Sequence, residues 1–196
     1  MTVVLASQNQ GKLKEMSAIL GEMDIQVVLQ SQVGVDIEVE ETGTTFAENA
    51  LLKAKAVMEA TNMVAIADDS GLSVDALDGA PGVYSARFGG CNTDEERVSL
   101  MLQKMESVPT EKRTARFTSN ITCCYPDGRV ISAEGTCEGT ITTEPAGDGG
   151  FGYDPIFYYE PLGKTFSELT AQEKNKISHR SVALQRFCDR LMKEQL

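Results

Sequence analysis

Apolar and polar residues alternate along this chain with two periods, one suited to strands and one to helices. Residues 2–6 form a short apolar run and predict a strand. After the polar loop Ser7-Gln8-Asn9-Gln10-Gly11, apolar Leu13, Met16 and Leu20 recur at helical spacing until Gly21. Residues 25–29 predict a second strand, and the alternating residues 35–39 a third. Thr45 followed three residues later by Glu48 is a capping box, opening a helix to about Asn62 that buries Ala47, Ala50, Leu51, Ala54 and Val57 or Met58. The run 63–67 predicts a strand, Asp68-Asp69-Ser70-Gly71 a turn, and residues 72–76 a further short strand. Asp78-Gly79-Ala80-Pro81-Gly82 reads as a loop.

Two more capping boxes follow. Thr93 with Glu96 opens a helix burying Val98, Met101, Leu102 and Met105, and Thr170 with Glu173 opens another. Between them, residues 116–125 and 129–136 predict strands around the Pro126-Asp127-Gly128 turn, with 140–143 extending the sheet. A last helix carries Ala183, Leu184, Phe187, Cys188 and Leu191 on its inner stripe. Strand–helix units at the start, a hairpin in the middle and a helical end predict an α/β fold with a mixed sheet, folded as one domain over residues 1–196.

Composition narrows the functional classes. The net charge of −11 argues against broad binding to nucleic acid or an anionic membrane, since both need basic patches. No apolar stretch reaches the length of a membrane span, and the first residues lack the basic and long apolar regions of a signal peptide. Five cysteines without a CxxC motif fit a reducing compartment, so the cytoplasm is expected. The single histidine, His179, excludes a multi-histidine metal centre; oxygen ligands would favour Mg²⁺, with Mn²⁺ as a substitute. Acids collect between Asp36 and Glu48 and bases between Lys174 and Arg190. Such poles suit a metal–phosphate ligand, and they equally suit two solvated faces.

The paired carboxylates Asp68 and Asp69 follow an apolar strand, and ligands of α/β folds gather at the carboxyl ends of strands. Adjacent carboxylates repel unless a cation or shared proton relieves them, so a metal site, a proton-sharing pair and a solvated turn all stand as readings. Gly147-Asp148-Gly149-Gly150-Phe151-Gly152 matches GxGxxG, but Tyr153-Asp154-Pro155 follows where a helix should open, which excludes a dinucleotide fingerprint. Gly11-Lys12 lacks both the first glycine and the Ser or Thr of a P-loop. Residues 7–12 nevertheless join a strand to a helix amino terminus, where free N–H groups and the helix dipole favour an anion.

These residues together resemble a family of purine nucleoside triphosphate pyrophosphatases, the inosine/xanthosine triphosphatase or Ham1-like family. The resemblance rests on residues 5–12 (Leu-Ala-Ser-Gln-Asn-Gln-Gly-Lys), on Glu40-Glu41-Thr42-Gly43 with residues 46–50 and Lys53-Ala54, and on residues 67–72 (Ala-Asp-Asp-Ser-Gly-Leu). It continues through residues 82–88, 149–155 and 177–180 (Ile-Ser-His-Arg). It implies an elongated mixed sheet flanked by helices, with two lobes around a substrate cleft, in a homodimer. It implies hydrolysis of ITP, dITP and XTP between the α- and β-phosphates, clearing deaminated purines from the nucleotide pool.

The resemblance also implies roles. Glu40 and Asp69 would hold Mg²⁺, with Asp68 behind them or as an occasional ligand, and Asp69 would orient or deprotonate the attacking water. Ser7, Gln8, Asn9, Gln10, Gly11 and Lys12 would cradle the phosphates, Gln8 and Gln10 standing at variable places of their motif, with Ser70 and also Lys53 as further donors. Phe151, Gly152, Tyr153 and Asp154 would wall the base and sugar. Lys174, His179 and Arg180 would read the 6-oxo edge that adenine lacks. For most of these residues an ordinary structural role is the competing reading. The competing functions are a pyrophosphatase for a modified pyrimidine triphosphate, a nucleotide sensor without catalysis, and a phosphomonoesterase.

Overall fold

The fold is known from a computed structural model that describes residues 1–194. Seven strands form one sheet in the order β2-β1-β3-β4-β5-β6-β7. They are β1 (Thr2–Leu5), β2 (Gln26–Leu29), β3 (Ala65–Val74), β4 (Thr114–Cys124), β5 (Val130–Ile141), β6 (Phe157–Tyr159) and β7 (Lys164–Thr165). The helices are α1 (Gln10–Leu20), α2 (Phe46–Thr61), α3 (Asp94–Lys104), α4 (Ala171–Ile177) and α5 (His179–Glu194). β1 pairs in parallel with β2 and β3, while β6 pairs antiparallel with β5 and β7. The sheet is therefore mixed, and the fold is α/β as the pattern predicts.

Helix starts are fixed locally. Thr45, Thr93 and Thr170 each accept a hydrogen bond from the backbone N–H of the glutamate three residues on, and that glutamate's carboxylate reaches back to the cap. Among the described residues no helix is long and apolar enough to cross a membrane. All five cysteines are free thiols.

The chain builds two compact units. The first comprises Met1–Ser70, Ser119–Gly135 and the described residues from His179; the second comprises Gly71–Thr118 and Thr136–Ser178. In the first unit, alternation along the strands sends Val3, Leu5 and Ile66 into a core with Met16, Leu20, Leu184 and Phe187 of α1 and α5. Val4, Ala65 and Ala67 face the other way, against Ala50, Ala54 and Val57 of α2. Helix α5 seats closely: a Cβ at Gly135 would meet the backbone N of Ala183 at 2.3 Å and the carbonyl oxygen of His179 at 2.4 Å. The second unit packs Leu72, Val74 and an aromatic group around Val98 and Met101 of α3. In that group Phe117 and Phe157 lie 4.6 Å apart, and Phe157 and Phe166 4.8 Å.

Two expectations are corrected. The stretch Asp68-Asp69-Ser70-Gly71 is not a turn: β3 runs unbroken from Ala65 to Val74 through both aspartates. The alternating residues 35–39 are not a strand. A single 3₁₀ turn (Gln30–Val33) and Gly34, with φ of 77°, redirect the chain after β2, and the Gln30 side-chain amide donates to the Ile37 carbonyl at 2.9 Å. Alternation makes a segment compatible with a strand, but a ladder also needs a neighbour in register.

Candidate active site

Because β3 is extended through both aspartates, their side chains leave it on opposite faces. Asp68 shares a face with Ile66, the α1/α5 side. Asp69 shares a face with Ala65 and Ala67, the α2 side. Adjacent in sequence, the two carboxylates are held by different partners.

Asp68 is fully engaged. Its Oδ2 accepts from Arg180 Nε at 3.0 Å and Nη2 at 2.8 Å, from Ser70 Oγ at 3.2 Å, and pairs with Lys12 Nζ at 3.0 Å. Its Oδ1 accepts from Ser119 Oγ at 2.6 Å. Burial by itself would raise this carboxyl, but Arg180, Lys12 and Ser119 outweigh burial and hold it well below the usual carboxylate range. Arg180, only 2% exposed, also pairs with Glu15 of α1 and donates to Ser70 Oγ at 3.0 Å. Burial lowers the Lys12 ammonium, which donates to the Asp68 carbonyl at 2.9 Å as well.

Asp69 has a different environment. Its Oδ1 accepts from Lys53 Nζ of α2 at 2.5 Å, and the same Nζ donates to Glu41 Oε1 at 2.7 Å. Its Oδ2 is buried without a hydrogen-bond partner among the described residues. Burial raises Asp69 above the ordinary carboxylate value, with Lys53 opposing. Burial works to lower Lys53, but Asp69 and Glu41 prevail and raise it. Two carboxylates meet on one ammonium here, and Asp69 Oδ2 is left without a hydrogen-bond partner among the described residues. That donor set suits a hard cation, which takes oxygen ligands and only one or two carboxylates when it is Mg²⁺. Among the described residues no group of three acids, cysteines or histidines is placed to hold a metal, so the remaining ligands would be water and substrate oxygens.

The loop before α1 is shaped by its own side chains. Asn9 caps the helix, accepting from Lys12 N at 3.0 Å, while Ser7 Oγ accepts from Asn9 N at 3.1 Å. Gln8 donates to Asp36 Oδ1 at 3.0 Å. Gln10 is exposed and Gly11 half-buried at the first turn of the helix.

The second unit carries its own polar group. Asp154 Oδ2 accepts from Phe151 N at 3.0 Å and from Lys174 Nζ at 2.7 Å, and that ammonium lies 4.9 Å from the Phe151 ring centre. Gly152 N donates to Asp94 Oδ2 at 2.7 Å. Tyr153 is buried, and its hydroxyl donates to the Ser85 carbonyl at 2.8 Å. A cavity of about 600 Å³ is lined here by the loop Gly147–Gly152 with Asp94, Val98 and Leu102 of α3. After that loop comes one 3₁₀ turn (Asp154–Ile156) rather than an α-helix, in keeping with the rejected dinucleotide motif.

The structure thus gathers Lys12, Asp68, Ser70 and Arg180 in one network, and Lys53 with Asp69 in another. It divides the expected base-reading trio: Lys174 belongs to the second unit, His179 and Arg180 to the first. Glu40 is exposed, and its side chain joins no hydrogen bond or ion pair with the Asp69 group among the described residues; the acid that does is its neighbour Glu41. Sequence reasoning did not single out Glu41, Glu15 or Ser119. Glu41 lay inside a motif already noted, but nothing local separated it from Glu40. Glu15 and Ser119 carried no signal at all.

The Ham1 family model matches residues 3–190. A dITP/XTP pyrophosphatase of Desulforamulus reducens is 50% identical over 187 residues, covering 95% of this chain and 93% of that protein. One from Synechocystis sp. is 51% identical over 187 residues, with the same coverage. A solved structure of a HAM1 protein from Coxiella burnetii superposes with a TM-score of 0.88 at 42% identity, covering 98% of this chain and 99% of the other. Matched by the family model over residues 3–190 and by these relatives in sequence and in fold, this chain belongs to the Ham1 family.

Proposed function

We propose that this protein hydrolyses ITP, dITP and XTP between the α- and β-phosphates, releasing the nucleoside monophosphate and pyrophosphate. The observation that carries the reading is Asp69: a buried carboxylate with one oxygen on Lys53 and the other open, in a chain whose relatives are named dITP/XTP pyrophosphatases.

Asp69 is the base in this mechanism. Its Oδ2 has no hydrogen-bond partner among the described residues, so this is the oxygen left to take a proton from water. The water oxygen bonds to phosphorus, the bridging oxygen between the α- and β-phosphates leaves with the bonding pair, and the water proton passes to Asp69. Lys53 holds Asp69 Oδ1, which fixes the rotamer and leaves Oδ2 for the water. Asp69 and Glu41, with Glu40 next to it in sequence, would hold a divalent cation, Mg²⁺ or Mn²⁺, that neutralises the triphosphate charge. Asp68 acts from behind: its contacts to Lys12, Ser70 and Arg180 fix the groups around the strand.

Residues Ser7 to Lys12 offer the helix amino terminus and a lysine to the phosphates. Phe151, Gly152 and Asp154 with Lys174 form the base-and-sugar wall, and His179 and Arg180 complete the binding set. The proposed setting is a cytoplasmic homodimer.

The test is incubation of the purified protein with ITP, dITP, XTP, ATP and GTP and Mg²⁺, resolving products by anion exchange. IMP and pyrophosphate from ITP, with ATP and GTP nearly untouched, is the expected result. Orthophosphate with IDP would overturn the reading.

A further inference from the structure

Asn49 lies on α2 one helical turn before Lys53, and the residue is 0% exposed. Its Oδ1 accepts from the backbone N–H of Gly43 at 2.8 Å. Its Nδ2 is buried with no hydrogen-bond partner among the described residues. An unpaired buried donor is destabilising, so an amide at this position needs a reason.

The reason lies in the segment that carries Glu41. Gly43 is two residues after Glu41 and packs onto the start of α2 without room for a side chain. A Cβ there would meet Glu48 Cβ at 2.6 Å and Asn49 Oδ1 at 2.7 Å. The next two residues are tied down by the same helix, since Thr44 N donates to Glu48 Oε2 at 2.7 Å and Thr45 N to the same oxygen at 3.1 Å. Glu48 and Asn49 together thus moor residues 43–45 to the helix whose next turn presents Lys53, and Lys53 receives Glu41.

The alternatives at position 49 are each worse. Leucine would leave the half-buried Gly43 N–H without its acceptor. Aspartate would supply the acceptor but bury a negative charge with no cation placed against it by any contact of Asn49. Asparagine gives the acceptor without the charge and leaves the spare N–H.

We infer that Asn49 is a positioning residue of the reaction site: by holding the Gly43 backbone it fixes Glu41 against Lys53, and so sets the carboxylate pair Glu41 and Asp69 that receives a divalent cation. This rests on the proposed reading of that pair. Asn49 itself touches no reacting atom.

The experiment compares wild type with Asn49→Ala, Glu41→Gln and the double variant. Two readouts are taken: ITP turnover, and Mn²⁺ binding by the protein alone followed by electron paramagnetic resonance. Expected for Asn49→Ala are a fall in kcat of about 10- to 10²-fold, the upper figure being what a 1 Å misplacement can cost, an unchanged KM, and weaker Mn²⁺ binding. The double variant should match Glu41→Gln in both readouts, because Asn49 acts through Glu41. Wild-type kcat and Mn²⁺ affinity in Asn49→Ala, or losses that add to those of Glu41→Gln, would overturn the inference. If Asn49→Ala does not fold, Gly43→Ala displaces the same segment while leaving Asn49 in place, and the same outcomes are read from it. A wild type that binds Mn²⁺ but leaves ITP intact would sink the proposed activity, while the Mn²⁺ comparison would still decide the role of Asn49.

Discussion

Lys53 Nζ of α2 stands 2.5 Å from Asp69 Oδ1 on β3, and this ion pair separates the fates of two neighbouring carboxylates. Asp69 keeps one oxygen open, whereas Asp68 on the opposite face has both oxygens in use. Substitutions at the two positions should therefore fail in different ways.

Asp69→Asn retains the size of the side chain and removes the base. Turnover of ITP should fall by about 10²–10⁴-fold, the range for loss of a general base. The thermal midpoint should move little, because burial already disfavours the Asp69 charge and Lys53 keeps its pair with Glu41. Steady-state kinetics and a melting curve check both; near-normal turnover would remove Asp69 from the mechanism.

Asp68→Asn should act on stability first. It leaves Arg180 and Lys12 without their shared anion in a buried setting, and breaking such a pair from one side costs about 3–5 kcal/mol. Denaturant unfolding reads that loss directly. A change below about 1 kcal/mol, the usual worth of an exposed pair, would mean that solvent reaches this network.

The same residue predicts a pH dependence. The folded-state pKa of Asp68 is depressed, so its contribution is fully present above the unfolded value of about 4. It is lost as pH falls from about 5 through the folded value, since the unfolded chain takes up the proton first. Asp69, raised by burial, has the opposite sign: its effect on stability favours low pH and is lost as pH rises through its folded value. Unfolding curves of wild type and Asp68→Asn should therefore converge as the pH is lowered below 5 (about one unit above the reference aspartate). Curves that stay parallel would contradict the assignment.

Gly135→Ala tests the seating of α5. The added Cβ would press on backbone atoms of Ala183 and His179, which cannot rotate away as a side chain could. Overpacking of this kind costs about 1–3 kcal/mol or more. A melting temperature equal to wild type would show that α5 can shift freely.

Tyr153→Phe separates two roles for that ring. Its hydroxyl is committed to the Ser85 carbonyl within the second unit, so the variant should lose about 1 kcal/mol of stability with unchanged KM for ITP. A clear rise in KM with unaltered stability would assign the hydroxyl to the nucleotide instead.

The local sequence determined the parts of this protein whose physics is local. Thr45 with Glu48, Thr93 with Glu96 and Thr170 with Glu173 specify helix starts through atoms three residues apart, and all three boxes form. The 3.6-residue stripes of α1, α3 and α5 identified their buried faces; in α2 Ala50, Ala54 and Val57 are buried as expected, but Leu51 is exposed and Asn49 buried in its place; the order of motifs identified the family. Tertiary structure decided what depends on distant partners. Asp68-Asp69-Ser70-Gly71 has the composition of a turn, yet pairing in the sheet and counter-charges from far along the chain hold it extended; Arg180 is 112 residues from Asp68. Residues 35–39 alternate like a strand but have no ladder to join. The choice of Glu41 over Glu40 as the partner of Lys53 came from how Gly43 and Asn49 moor that segment, a relationship in space that two adjacent glutamates cannot announce in sequence.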